Sequence, residues 1–303
     1  MRERRAAPPM LIAVGGICTT TLYRVPAVPA VPGKVLATDA AEVVDGMAVS
    51  AACAFVRLGG QGAVWGRVGD DSRGAGMRRE LAAAGLDVAA VRSVPGGRSS
   101  IAVSIIDDRG DRLVVPYHDA SLDAAADWLP LERIASADFV HVDTRWPEGA
   151  AAALVAARAA GVPGMLDADI APPDILARLV PLSSHAVFSD AGLFVHTGMS
   201  DLEAALRLVA AGHPGHVGAS CGADGYAWIE AGELWRVPAP RVEVVDTLAA
   251  GDVFHGALAL RLAEGATIEA AARFAVVAAS LKCTRFGGRL GCPSRDEVER
   301  HHG

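Results

Sequence analysis

The sequence predicts an α/β fold in which a mostly parallel sheet is covered by helices and a small β-sheet projects as a lid. Three observations lead there. Short apolar runs alternate with stretches of helical periodicity along most of the chain. A hairpin pattern around residues 98–117 breaks that alternation once. Finally, 303 residues of which 51% are hydrophobic can enclose one large core, and no linker-like segment divides them. The expectation is a single domain over 1–303, with the lid drawn from about 20–40 and 97–118.

Residues 10–14, MLIAV, are apolar on both faces and end at Gly15 and Gly16, as a buried central strand does. The basic residues before them read as a tail, because the apolar run is too short for the core of a signal peptide. Strands are expected at 22–25 and 35–38, on either side of the turn VPAVPAVPGK. A helix over 46–58, a strand over 63–68 and a helix over 72–84 begin the alternation. Residues 98–106 and 112–117, joined by DDRGD, form the hairpin. The rhythm then resumes with strands at 139–142, 164–166, 186–188 and 217–220 and helices at 148–160, 173–179 and 202–211. A second hairpin (226–229 with 234–237), a helix opening near Asp252 and a last helix over 268–283 close the chain.

A net charge of −7 argues against nucleic acid or a membrane surface as the main partner. No run approaches the ~20 apolar residues that cross a bilayer. The five cysteines are scattered without metal-ligand spacing and fit free thiols in a reducing cytoplasm.

The most informative stretch is 244–260, VVDTLAAGDVFHGALAL. Two β-branched residues read as a strand end, the small residues Ala249, Ala250 and Gly251 as a tight turn, and Asp252 as the first turn of a helix. Unpaired amides at such a helix start, together with its dipole, favour an anion such as phosphate. A carboxylate there, kept ionised by the dipole, can accept a proton from a hydroxyl held beside it. Capping and close packing by the same residues is the simpler alternative. His255, on the same helix, reads either as a support for Asp252 or as a satisfied core residue.

This stretch resembles the second signature of the ribokinase-like (pfkB) carbohydrate kinases, Asp-Thr-x-Gly-Ala-Gly-Asp, with Ala249 in place of the first glycine. VRLGGQGAVWGRVGDDSRG, 56–74, resembles the first signature. The resemblance covers nearly the whole chain. It implies a three-layer α/β/α sandwich, ATP and Mg²⁺ as cofactors, Asp252 as catalytic base, and the amides of Ala249, Ala250 and Gly251 as an anion hole. Thr20, Asp45, Gly46 and Ser50 fall at the sugar pocket. Ser189, Ser220, Gly222 and Gly225 fall beside the nucleotide, where Gly192 replaces the family's glutamate. Ala278 and Lys282 fall at the adenine pocket, and Arg285 or Arg289 near the ATP phosphates. The backbone carbonyls of Asp246 and Leu248 fall at a monovalent-cation site, which would be filled by K⁺. A homodimer through the lid is implied too.

Several strings, among them DTRWPEGA from Asp143 and SLKCTRFGGRLGCP from Ser280, are similar to those of 6-deoxy-6-sulfofructose kinases. That narrower likeness implies sulfonate binding by Arg145 and Lys34. Pro116 stands where that group has an asparagine, and ribose, fructose, 2-keto-3-deoxygluconate or a nucleoside remain alternative substrates. A domain of this kind that binds sugar or nucleotide without turnover is the reading from another class.

Overall fold

The computed structural model describes residues 7–122 and 124–301; the start of the expected tail lies outside them. In chain order the first half contains β1 (Met10–Val14), β2 (Cys18–Val25), β3 (Asp39–Asp45), α1 (Met47–Arg57), β4 (Gln61–Gly69), α2 (Ser72–Ala83), β5 (Leu86–Asp87), β6 (Val91–Val94), β7 (Ser100–Asp107) and β8 (Arg112–Tyr117). The second half contains β9 (Phe139–Val142), α3 (Pro147–Ala160), β10 (Gly164–Ala168), α4 (Pro173–Leu179), β11 (His185–Ser189), α5 (Asp190–Thr197), α6 (Leu202–Gly212), β12 (His216–Ser220), β13 (Tyr226–Glu230), β14 (Glu233–Val237), α7 (Ala250–Ala263), α8 (Ile268–Cys283) and α9 (Arg295–His301).

The main sheet runs β14-β13-β12-β11-β10-β9-β1-β4-β5, with β6 also paired to β4. It is parallel from β12 to β5, and only β13 and β14 are antiparallel. The pleat of β1 shows why both faces need helices. Leu11 and Ala13 join the core beneath α1, α7 and α8, while Ile12 and Val14 join the core beneath α3 to α6. With apolar groups on alternate sides, neither face of the strand can meet water, and the three-layer arrangement follows.

A separate four-stranded sheet, β3-β2-β7-β8, forms the lid. Its apolar patch, Leu22, Val43 and Ile106, packs on Leu248 and Phe286 of the body. The outer strand β8 is exposed at all six positions.

The structure departs from the expected elements at several points. Residues 35–38 are exposed coil, and the strand starts at Asp39, where pairing with β2 begins. Val244 and Val245 do not end a strand: the amides of Val245 and Asp246 both donate to the Cys283 carbonyl (2.8 and 3.1 Å), so this loop is pinned to the end of α8. The short β5, β6, α5 and α9 were not anticipated. For α9 the signal existed, because Ser294 and Glu297 exchange hydrogen bonds as a Ser-x-x-Glu capping box. The five cysteines are free thiols.

Candidate active site

The parallel strands β9, β10 and β11 point their carboxyl ends at one region, and the loop before α7 lies against it. Asp143, just past β9, is fully buried and takes amides from three places: Gly16 (3.1 Å), Ala48 (3.1 Å) and Arg145 (2.8 Å). It thereby caps α1 from a distance, since Gly46 at that helix start supplies no side chain. Two glycines make this fit possible. A Cβ on Gly15 would lie 2.1 Å from the Asp143 carboxylate, and Gly46, with φ of 135°, sits so close that a Cβ would lie 2.2 Å from the Gly16 carbonyl. Burial pushes the Asp143 carboxyl up, and the amide donors oppose it.

Three residues expected at the sugar pocket come together here. Asp45 is buried at the end of β3 and accepts from Thr20 Oγ1 (3.1 Å) and Ser50 Oγ (2.6 Å). Arg145 lies nearby, its Cβ 2.9 Å from where a Gly16 Cβ would be, with His118 of the lid on the same side. The guanidinium of Arg145 donates to the Ile170 carbonyl and pairs with Asp169 (3.6 Å), not with Asp143 or Glu148. His118 had no sequence signal beyond its place at the end of the hairpin. Lys34 sits exposed in the coil between β2 and β3 and has no hydrogen bond or ion pair among the described residues.

The first turn of α7 is open. Ala249 is left-handed, with φ of 62° and ψ of 13°. Its successor Ala250 spends its amide on the Thr247 carbonyl (3.2 Å), so Ala250 does not contribute a free donor as the resemblance implied. Gly251 and Asp252 find no backbone acceptor among the described residues, and a Cβ on Gly251 would meet nothing within 4 Å. Asp252 is half-buried beside this gap. The dipole of α7 does not set its titration: burial first, then the negative charges of Asp45, Asp169 and Asp143, push its carboxyl well above the usual range.

Beneath Asp252, His141, Asp167 and His255 place their ring nitrogens and carboxylate oxygen within 4.8 Å of one another. His255 is a buried core residue whose Nδ1 lies 2.9 Å from the Gly251 carbonyl and 3.3 Å from Asp167. Burial holds its pKa down at about 4.

Other expected nucleotide-side residues divide. Ser189 donates to Asp169 (2.8 Å) and caps α5 by accepting from Gly192, and Ser220 ends the neighbouring β12. Gly222 faces open space, whereas Gly225 is a packing position, where a Cβ would lie 2.0 Å from the Val237 carbonyl. Ala278 is fully buried in the α7/α8 core and offers no exposed wall. Lys282 is fully buried too, its ammonium turned to Asp246, and so is not a nucleotide contact. The arginines considered for ATP are engaged elsewhere: Arg285 with Glu297, and Arg289 with Glu80 and the Val44 carbonyl. A surface cleft lined by Arg78, Arg92, Trp128 and Arg133 shares no residue with this group.

The sequence profile of the pfkB family carbohydrate kinases matches residues 11–295. The chain belongs to that family. It is an ATP-dependent sugar kinase, and Bacillus subtilis ribokinase is 32% identical to it over 274 residues, spanning 88% of this chain and 89% of that protein. An ATP-dependent ribose-1-phosphate kinase from Halopiger xanaduensis is 28% identical over 95% of this chain and 96% of its own length. A solved Agrobacterium tumefaciens structure, provisionally named a ribokinase, superposes with a TM-score of 0.94 at 42% identity, covering 98% of both chains. Arabidopsis thaliana ribokinase with ribose and ATP superposes at 0.82 and 24% identity over 98% of this chain and 99% of that one, a likeness of fold. Among the described residues no helix is long and apolar enough to cross a membrane.

The left-handed Ala249 yields a direct test. Ala249→Gly removes about 1–2 kcal/mol of steric strain against about 0.4–1 kcal/mol of added freedom in the unfolded chain. A melting temperature raised by about 1–3 °C is expected; a lower one would mean that the turn is not strained.

Proposed function

We propose that the kinase phosphorylates a hydroxyl of a small uncharged sugar, a ketose or pentose, with Asp252 as the general base. The observation that carries this is the open first turn of α7, whose Gly251 and Asp252 amides stand free beside that carboxylate. Asp45, oriented by Thr20 and Ser50, accepts hydrogen bonds from the sugar, and Gly46 lets the backbone approach. The hydroxyl gives its proton to Asp252 as its oxygen attacks the γ-phosphorus, and the free amides meet the negative charge that spreads over the transferring oxygens. Ser189, Ser220 and Gly222, at the ends of β11 and β12, border the nucleotide.

Magnesium fits this donor set, because crowded carboxylates with a hydroxyl are hard oxygen ligands. Asp169 and Ser189 would hold it, and when bound it neutralises charge on the phosphate oxygens. Ribokinase and fructokinase names among the relatives support ribose or fructose as the acceptor.

A sulfonated ketose is the second reading. Arg145 favours it, a forked cation beside His118 whose ion pair with Asp169 is long at 3.6 Å. Lys34 would have to move inward with the lid to join it.

A dimer through the lid is also part of this proposal, since β8 presents Leu113, Val115 and Tyr117 to solvent at 45–57% exposure.

Four outcomes are expected. Asp252→Asn lowers kcat by about 10³-fold while ATP still binds; retention of more than about a tenth of the rate would remove Asp252 from the role. Since the base must be ionised and its pKa is raised, activity should climb with pH above the usual carboxylate range. Asp45→Asn removes a repelling charge, lowers that pKa, and moves the acid limb to lower pH; an unmoved limb would assign it to another group. Arg145→Met should cut kcat/KM for 6-deoxy-6-sulfofructose relative to fructose by about tenfold or more if the second reading holds, and an unchanged ratio dismisses it. Light scattering should report twice the chain mass, falling to one chain in Val115→Arg; a monomeric native protein contradicts the lid interface.

A further inference from the structure

The monovalent ion implied by the family resemblance would need the Asp246 carbonyl, and that oxygen is already taken. Lys282 Nζ, from the last turn of α8, lies 2.6 Å from Asp246 O and 3.1 Å from Asp246 Oδ2. Both side chains are fully buried. A second cation placed on the same carbonyl would stand next to the ammonium in a medium that screens it poorly. K⁺ therefore does not fit the residues present.

We propose that the Lys282 ammonium is a tethered cation that replaces the monovalent ion, making this kinase independent of K⁺. Its partner Asp246 explains how a fixed charge can serve. One carboxylate oxygen accepts from Leu248 N (2.7 Å), the other from Gly287 N (3.1 Å) and Gly288 N (2.8 Å) as well as from Lys282. The next residue, Thr247, donates to the Gly110 carbonyl in the lid turn (3.3 Å) and accepts from Arg112 of β8. Lys282 thus sits at the knot that holds the loop 245–248, and this loop leads directly into Ala249 and the free amides of α7. Burial lowers the pKa of the ammonium and the Asp246 carboxylate opposes that, as expected of a compensated buried pair.

The role given to Lys282 rests on the reading of that turn as the phosphoryl site, so the test includes a measurement that does not depend on turnover. In the native protein, replacing choline chloride by potassium chloride at constant ionic strength should leave the melting temperature unshifted and change kcat by less than about twofold. Lys282→Met keeps the length of the side chain and removes the charge. It should lose about tenfold or more in kcat in choline, and regain stability and rate in potassium chloride or ammonium chloride, because an ion bound only by the folded state raises its melting point. Lys282→Arg, which keeps the charge, guards against a Met variant that fails to fold: it should stay insensitive to K⁺. A native melting temperature that rises saturably with K⁺, or a Met variant as active as the native protein in choline, would overturn the proposal. If no sugar is phosphorylated at all, the melting measurements still decide for or against the tethered cation.

Discussion

The first turn of α7 can leave its amides free only because the loop before it is held by other groups, and Asp246 is the group that holds it. One buried carboxylate collects three amides and an ammonium from the far end of α8. An uncompensated carboxylate at that depth would be costly, and so would the ammonium alone. Together they permit a loop without strand or helix pairing to keep one conformation. Ala249 can then persist in a left-handed state that alanine disfavours.

Around that fixed turn the protein gathers negative charge. Burial and the charges of Asp45, Asp169 and Asp143 push the Asp252 carboxyl up, and burial with Asp252, Asp169 and Asp143 does the same to Asp167. These carboxylates do not do the same work. Asp143 is filled by backbone amides and ties the ends of β1 and β9 to the start of α1, whereas Asp45 is aimed by two hydroxyls and Asp252 has no such partners. The carboxylate without compensation is the one whose proton affinity is raised beside an open gap, as a base for an alcohol requires.

Much of this was legible in the residues. The strand and helix alternation could be read because periods of 2 and 3.6 are local properties, and β1, β9, α4 and α8 have the expected bounds. The lid hairpin was visible in its turn chemistry, and Asp252 in its run of small residues. What could not be read depends on partners distant in the chain. The resemblance places Lys282 at a nucleotide pocket, and nothing local reveals its partner 36 residues away. Asp143 was noted only inside a string, yet its contacts with Gly16 span 127 residues. Val244 and Val245 have strand-forming side chains, but the amides of Val245 and Asp246 are claimed by the Cys283 carbonyl, and tertiary pairing overrode propensity.

The most direct test of the account is a crystal structure with a non-hydrolysable ATP analogue, Mg²⁺ and a bound sugar. The account predicts γ-phosphate oxygens within hydrogen-bond distance of the Gly251 and Asp252 amides, and an Asp252 carboxylate oxygen within the same reach of a sugar hydroxyl in line with the phosphorus. A γ-phosphate bound elsewhere, with the first turn of α7 covered by side chains or facing no sugar, would contradict it.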